Sequence, residues 1–216
     1  MISIIDLYKS FGKQVVLNKV SMELLPGEIY GFVGRNGAGK TTFFNCIAGL
    51  EKFQGEIKYT KGLLKNVLGL LPTDPYFFPK ITGLEYLEMM CISRDIDFKQ
   101  KKDYLNVFEL PLNKYISEYS TGMQKKIAIL GVLMQQNEVF IFDEPFNGLD
   151  IQSNLTLSEI ILQLKNQGKI ILLSSHIFST LEELCDEVFL LEKWKFLHFE
   201  NKGDFEAIKN KMPECF

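Results

Sequence analysis

Nine residues from Gly34 to Thr42 hold three glycines, a lysine and two threonines, directly after an apolar run. Glycine weakens the interior of helices and strands alike, so the cluster needs a reason. Gly34-Arg35-Asn36-Gly37-Ala38-Gly39-Lys40-Thr41 fulfils the pattern G-x-x-x-x-G-K-[ST], which marks a phosphate loop when a buried strand precedes it and a helix follows. Each residue type has its chemistry. Glycines let successive backbone N–H groups turn toward one anion, and the following helix adds the positive end of its dipole. Lys40 reaches β- and γ-phosphates, the Thr41 hydroxyl can ligate Mg²⁺, and Thr42 is counted with the residues that bind the nucleotide.

A second group completes this chemistry. In "VFIFDEP" four apolar residues, Val139 to Phe142, drive a strand into the core, and its end delivers Asp143 and Glu144. One acid there can bind Mg²⁺ through water, and the next can polarise a water near a γ-phosphate.

The elements that must position these groups follow from pattern. "ISIIDLYKSF" and "VVLNKVSMEL" read as strands, Pro26–Glu28 as a turn, and "EIYGFVG" as the buried strand entering the loop. "TTFFNCIAGL" fits a helix with Gly49 near its end. "GEIKYT" and "NVLGLL" return to strand character. From about Pro72 to Gln136 the chain turns helical. "TGLEYLEMMCIS" carries a capping box, Thr82 with Glu85, and "KQKKDYLNVFEL" and "TGMQKKIAILGVLMQQ" are helical by pattern. The last third alternates: a helix with Leu157, Ile160, Ile161 and Leu164 on one face, the strand "KIILLSSH", the short helix "TLEELC", and a closing hairpin in "EVFLLEKWKFLHFE". Strands alternating with helices predict a mostly parallel sheet with helices on its faces.

Composition narrows the partners. A chain of 216 residues with 46% apolar and 24% charged residues can bury one full core. Its net charge of −3 gives no general attraction to nucleic acid or anionic lipid. Cys46, Cys91, Cys185 and Cys215 are scattered with no C-x-x-C pair, so buried thiols are expected in place of zinc ligands or a disulfide framework. The start "MISIIDLYKS" lacks the layout of a secretory signal, and no apolar run approaches the roughly 20 residues of a membrane span. A membrane role would need another chain.

With these motifs in this order, the sequence resembles the ATP-binding subunits of ABC transporters along essentially its whole length. Phe11 in "KSFGKQ" matches the aromatic that stacks on adenine, with Tyr8 the other candidate. "GLLPTDPYFFPKITGLEYL" resembles the Q-loop region. "YSTGMQKKIAI" resembles the signature usually written LSGGQ. Asn147-Gly148-Leu149-Asp150 matches the D-loop, and "LLSSH" ends in His176 at the switch-histidine position. His198 matches nothing and reads as structural.

The resemblance implies a P-loop NTPase of α/β, RecA-like class. It would have a mostly parallel sheet core with an N-terminal antiparallel β lobe (1–71 and 137–216) and an inserted helical lobe (72–136). It implies ATP and Mg²⁺ as ligands and hydrolysis of ATP to ADP and phosphate. Glu144 would act on the water, Lys40 and His176 on γ-phosphate charge, and Thr41 and Asp143 on the metal. Ser120 and Gly122 would open a helix facing the nucleotide of a second ATPase subunit. The partners implied are that subunit and a membrane permease on a separate chain, at the inner face of the cell membrane, with no nucleic acid.

The style of "GEIYGFVGRNGAGKTT" and "LPTDPYFFPKITGLEYL" most resembles stand-alone subunits of bacterial exporters. The alternatives are a soluble ABC ATPase without a transport role and a nucleotide-dependent regulator. Two departures stand out: Thr121 and Met123 replace Gly and Gln in the signature, and Thr73 occupies the position of the Q-loop glutamine.

Overall fold

The computed structural model describes residues 1–200. Strands β1 (Ile2–Phe11) and β2 (Gln14–Leu24) form an antiparallel pair, and a later strand, β4 (Gln54–Tyr59), joins the other edge of β1. Their inward residues, among them Ile4, Leu7, Leu17 and Leu24, pack down onto a second, larger sheet. That sheet contains β3 (Ile29–Val33), β5 (Leu68–Leu71), β6 (Val139–Phe142), β7 (Ile170–Ser174), β8 (Glu187–Glu192) and β9 (Lys195–Glu200). Their order is β5-β6-β7-β3-β8-β9, with the first five parallel and β9 antiparallel to β8.

The central strands are apolar throughout because both of their faces are covered, as a parallel sheet requires. Ile29, Val33, Phe140, Phe142, Ile171 and Leu173 point to one core. Tyr30, Phe32, Val139, Ile141, Ile170 and Leu172 point to the other. This alternation is the period of two along a strand. Helix α1 (Lys40–Ile47) and the antiparallel sheet cover the second face. Helices α2 (Gly83–Ile92), α3 (Thr121–Met134), α4 (Ile151–Asn166) and α5 (Phe178–Leu184) contribute to the first core. Of the four α4 residues the spacing selects, Leu157, Ile161 and Leu164 are buried and Ile160 is partly buried against the same core.

Local signals act where expected. Thr82 Oγ1 accepts from the Glu85 N–H at 3.2 Å, and Glu85 returns a carboxylate to the Thr82 N–H at 2.8 Å. The hairpin after β8 turns through Lys193 and Trp194, both at positive φ, which matches the twist of the strands it joins. "KQKKDYLNVFEL" departs from expectation. It forms 3₁₀ turns over Phe98–Asn106 and no α-helix. Four long polar residues in succession, Lys99 to Lys102, offer no apolar stripe at α spacing. A three-residue turn instead stacks the Lys101 ammonium 5.6 Å from the Tyr104 ring centre. Cys46, Cys91 and Cys185 are buried. Cys215 and the rest of the chain beyond residue 200 lie outside the described residues.

Candidate active site

The end of β3 passes into the glycine loop, and α1 begins at Lys40. Gly39 caps that helix at φ 121°, with no side chain bonded to the first-turn N–H groups. A Cβ there would come within 2.6 Å of Val16 Cγ1, so the backbone angle and the packing both require glycine. Lys40 is only 7% exposed. Its Nζ donates to the Gly34 carbonyl at 2.7 Å and reaches the Arg35 carbonyl at 3.5 Å. The cation is thereby held over the cradle formed by the loop.

Because β6 lies between β5 and β7, the chain end that carries Asp143 and Glu144 emerges beside the end that carries Ser174. Asp143 Oδ2 accepts from Thr41 Oγ1 at 2.6 Å, and Oδ1 accepts from Ser174 Oγ at 2.6 Å. Ser174 Oγ also accepts the Glu144 N–H at 2.8 Å. That bond helps hold Glu144 at φ 51°, a backbone region a long side chain seldom enters unless its surroundings fix it there. His176 follows at the exit of β7, with Nε2 2.9 Å from Glu144 Oε1. That approach lacks hydrogen-bond alignment, so Oε1 remains a buried acceptor without a hydrogen bond.

Burial pushes the Glu144 carboxyl above its ordinary value, and the Asp143 charge adds to this, while Lys40 draws it back down. Burial, then Lys40, pushes the His176 imidazole below its ordinary value. Burial thus acts against the charged form of each group. A carboxyl raised in this way is suited to exchange protons with a water.

One cavity of about 640 Å³ gathers these groups. Its walls include Arg35, Asn36, Gly37, Gly39, Lys40, Thr41 and Thr42 from the loop and α1, with Asp143, Glu144 and His176 opposite. Gly34 contributes its carbonyl to Lys40. Ala38 lines a smaller neighbouring cleft with Gly37, Val16 and Trp194. Phe11, at the end of β1, stands outside both sets of walls. It is 49% exposed, with the Lys9 ammonium 4.4 Å from its ring centre. His198 lies on β9 against Glu187 at 2.6 Å and stacks on Phe189, which is a structural setting.

Ser120 and Gly122 also lie apart from this cavity. Ser120 caps α3 by accepting from the Met123 N–H at 3.3 Å. Gly122 has a packing reason within the chain, since a Cβ would fall 2.7 Å from the Gly148 carbonyl oxygen. A second tie joins the same segments, from Lys126 Nζ to Asp150 Oδ2 at 2.6 Å. Asp150 in turn caps α4 by accepting from the Ser153 N–H at 2.9 Å. Its neighbours, led by Lys126, hold its carboxyl well below the usual range. Met123 packs against the first core, a use for an apolar side chain at that position.

Sequence reasoning did not single out Ser174 or Asp74, and it placed Asn147 in the D-loop match without assigning it to the cavity. Ser174 is fully buried and joins the two acids. Asp74 and Asn147 line the cavity. A signal for Ser174 was available, because two serines close the apolar run "KIILLSSH" and a buried hydroxyl must find partners.

Comparison with known proteins agrees with this layout. The ABC transporter family matches residues 17–147. An uncharacterized ABC transporter ATP-binding protein of Methanocaldococcus jannaschii is 36% identical, covering 98% of this chain and 80% of its own length. The bacitracin transport ATP-binding protein of Enterococcus faecalis is 28% identical over 97% of this chain and 72% of its own. The ribose import ATP-binding protein of Bacillus subtilis is 31% identical over 96% of this chain, which spans 46% of that protein. A solved ATP-binding subunit of an ABC transporter superposes with a TM-score of 0.88 at 26% identity, covering 100% of this chain and 94% of its own. An ATP-binding cassette solved as a dimer with ADP and phosphate after hydrolysis gives a TM-score of 0.84 at 19% identity, covering 94% of this chain and all of its own.

The site and fold define a P-loop ATPase. The chain belongs to the ABC transporter family and is an ATP-binding subunit of that class.

Proposed function

We propose that this chain hydrolyses ATP in the Lys40–Glu144 cavity to drive a separate membrane permease, as part of an exporter. The observation that carries the site assignment is the hydrogen-bonded series Thr41–Asp143–Ser174–Glu144, with His176 beside Glu144. It joins the phosphate loop to the acids in one cavity. Lys40 leaves its loop carbonyls to bind β- and γ-phosphate. Glu144 orients the attacking water and accepts its proton, and His176 supports the γ-phosphate. The reaction is ATP plus water to ADP plus phosphate. Phe11 carries the adenine side.

The residues present fit Mg²⁺. Thr41 and Asp143 offer hard oxygens 2.6 Å apart at the cavity wall. Among the described residues no group of three or more His, Cys, Asp or Glu could hold a metal. That suits an ion which takes one or two protein oxygens and completes its shell with phosphates and water. When bound, such an ion neutralises phosphate charge.

Ser120 and Gly122 serve the nucleotide of a second ATPase subunit, so that closure of the pair moves the permease. Residues 72–136 move as a lobe against the rest. Export is favoured by similarity, over 97% of this chain and 72% of the relative, to a subunit named for bacitracin transport. Among the described residues no helix is long and apolar enough to cross a membrane; the permease supplies that part, and the subunit sits on its inner face.

The test separates binding from chemistry. Glu144→Gln is expected to keep ATP affinity and lose turnover by about a hundredfold or more, and to dimerise on adding ATP. Ser120→Arg placed in that variant prevents dimerisation. Wild-type turnover in Glu144→Gln, or an ATP-bound monomer with the permease present, overturns the reading.

A further inference from the structure

Lys125 lies in the second turn of α3, five residues after the Ser120 cap, and is 4% exposed. A buried lysine ordinarily has a carboxylate beside it, because an unpaired ammonium is costly to take out of water. Among the described residues no ion pair includes Lys125. Its Nζ donates to the Thr73 carbonyl at 2.7 Å and lies 3.4 Å from the Pro72 carbonyl. Pro72, Thr73 and Asp74 line the nucleotide cavity. An apolar side chain would cover the same ground at lower cost, so the charge itself needs a reason.

We infer that Lys125 is a positioning residue: its ammonium ties the start of α3, with Ser120 and Gly122, to the 72–74 wall of the nucleotide cavity. The loop is fixed at both ends of this contact. Leu71, just before it, accepts the Asp143 N–H at 2.9 Å. The next two carbonyls face Lys125. Pro72 has no N–H, and Pro75 restricts Asp74 before it. The loop therefore has few ways to shift alone, and a displacement of the 72–74 wall carries Lys125 and the first turns of α3 with it. The link runs through the main chain, which any residue at position 73 supplies. Asp143, Asp74 and Glu144 all act on the Lys125 charge through space, so the ammonium stands in the field of the acids that define the cavity.

This inference rests on ATP occupying that cavity. The experiment measures steady-state ATPase kinetics, binding of a fluorescent ATP analogue and hydrogen exchange in wild type, Lys125→Met and Lys125→Arg. Lys125→Met keeps the length of the side chain and removes the buried charge, so it is expected to fold with undiminished melting temperature. Its KM is expected to stay within about threefold of wild type while kcat falls about tenfold or more, the pattern of a group that acts after binding. Lys125→Arg is expected to restore at least about half of the lost kcat.

In wild type, nucleotide is expected to slow exchange at Thr121–Gln124 together with Thr73–Asp74, and in Lys125→Met only at Thr73–Asp74. A kcat within about twofold of wild type in Lys125→Met overturns the proposal, as does a raised KM with unchanged kcat or a failure of Lys125→Arg to restore turnover. If wild type fails to bind the analogue, the site reading falls. The tie is then judged by nucleotide-free exchange alone: faster exchange at Thr73–Asp74 in Lys125→Met sustains it, and unchanged exchange overturns it.

Discussion

Helices α1 and α3 both start at glycine-containing stretches and both are proposed to face phosphate, yet they are built in opposite ways. At α1 the cap is Gly39, which has no side chain to offer, so the first-turn N–H groups stay available. At α3 the cap is Ser120, whose hydroxyl already accepts from Met123. The α1 start is enclosed by the groups that complete its chemistry, Thr41 on Asp143 and Lys40 on the loop. The α3 start faces no such set. Its ties run to the D-loop, through Gly122 against Gly148 and Lys126 on Asp150. A helix start left uncapped and walled with charge is the arrangement proposed above for holding phosphate. One that is capped and braced from behind is the arrangement proposed for the surface offered to a second subunit.

The largest effects should therefore fall on α1. Gly39→Ala adds a methyl 2.6 Å from Val16 at a left-handed φ, which costs about 1–3 kcal/mol and displaces the N–H cradle. ATP binding measured by titration is expected to be lost in this variant and in Lys40→Ala. Retained affinity in either would show that the α1 start is not the phosphate site.

The next effect is one of pH. The Glu144 carboxyl is raised above its ordinary 4.5, mainly by burial. A carboxyl raised in the folded state stabilises the fold below its unfolded value, and that contribution is lost as pH rises through the folded value. Wild type thus carries a buried charge above that range which Glu144→Gln does not. His176 is depressed and acts in the other direction, losing its contribution as pH falls, but it is present in both proteins. The nucleotide-free melting temperature of Glu144→Gln should exceed that of wild type by a margin that grows from pH 5 to pH 8. A constant margin would remove burial as the cause.

Much of this was legible in the sequence, for physical reasons that differ by place. The five-residue run Ile29–Val33 and the four-residue run Val139–Phe142 could only be buried strands, since every position is apolar. The glycine loop before α1 and the strand that ends in two acids were readable because the signals that mark them are local. Contacts that join distant segments were not. Ser174 bridges residues 31 positions away, and Lys125 reaches back 52 positions to a carbonyl, and no local pattern records which carbonyl a lysine will find. The helical stretch at Phe98–Asn106 is 3₁₀, a distinction the sequence does not record because its polar residues fit either helix.

Smaller effects belong to α3. Ser120→Ala removes a side-chain cap and should lower stability by about 1 kcal/mol, read by chemical denaturation. Gly122→Ala must move either the helix start or Gly148 and should cost about as much or more. Neither should weaken ATP binding to the monomer by more than about twofold, while both should slow turnover where the dimer forms. A tenfold loss of monomer affinity in Ser120→Ala would break the distinction between the two helix starts.

The smallest effect is expected at Thr73, and it sharpens the same distinction. A glutamine at this position would reach into the cavity with a long amide. Threonine is shorter, stiff at χ1 and offers only a hydroxyl. It is nonetheless part of the cavity wall, and its carbonyl, the atom that holds Lys125, belongs to the backbone. Thr73→Ala keeps that carbonyl and the flanking Pro72 and Pro75, so both the wall and its tie to α3 survive. The Mg·ATP dissociation constant should change by less than about threefold, below 1 kcal/mol, and kcat should stay near wild type. Asp143→Asn, which alters the carboxylate that accepts from Thr41 and Ser174, should do far more. A tenfold loss of Mg·ATP affinity in Thr73→Ala would mean that the hydroxyl reaches the metal shell after all. The wall at residues 72–74 would then act through a side chain, and the main-chain route through Lys125 would no longer be needed to explain how the two helix starts are joined.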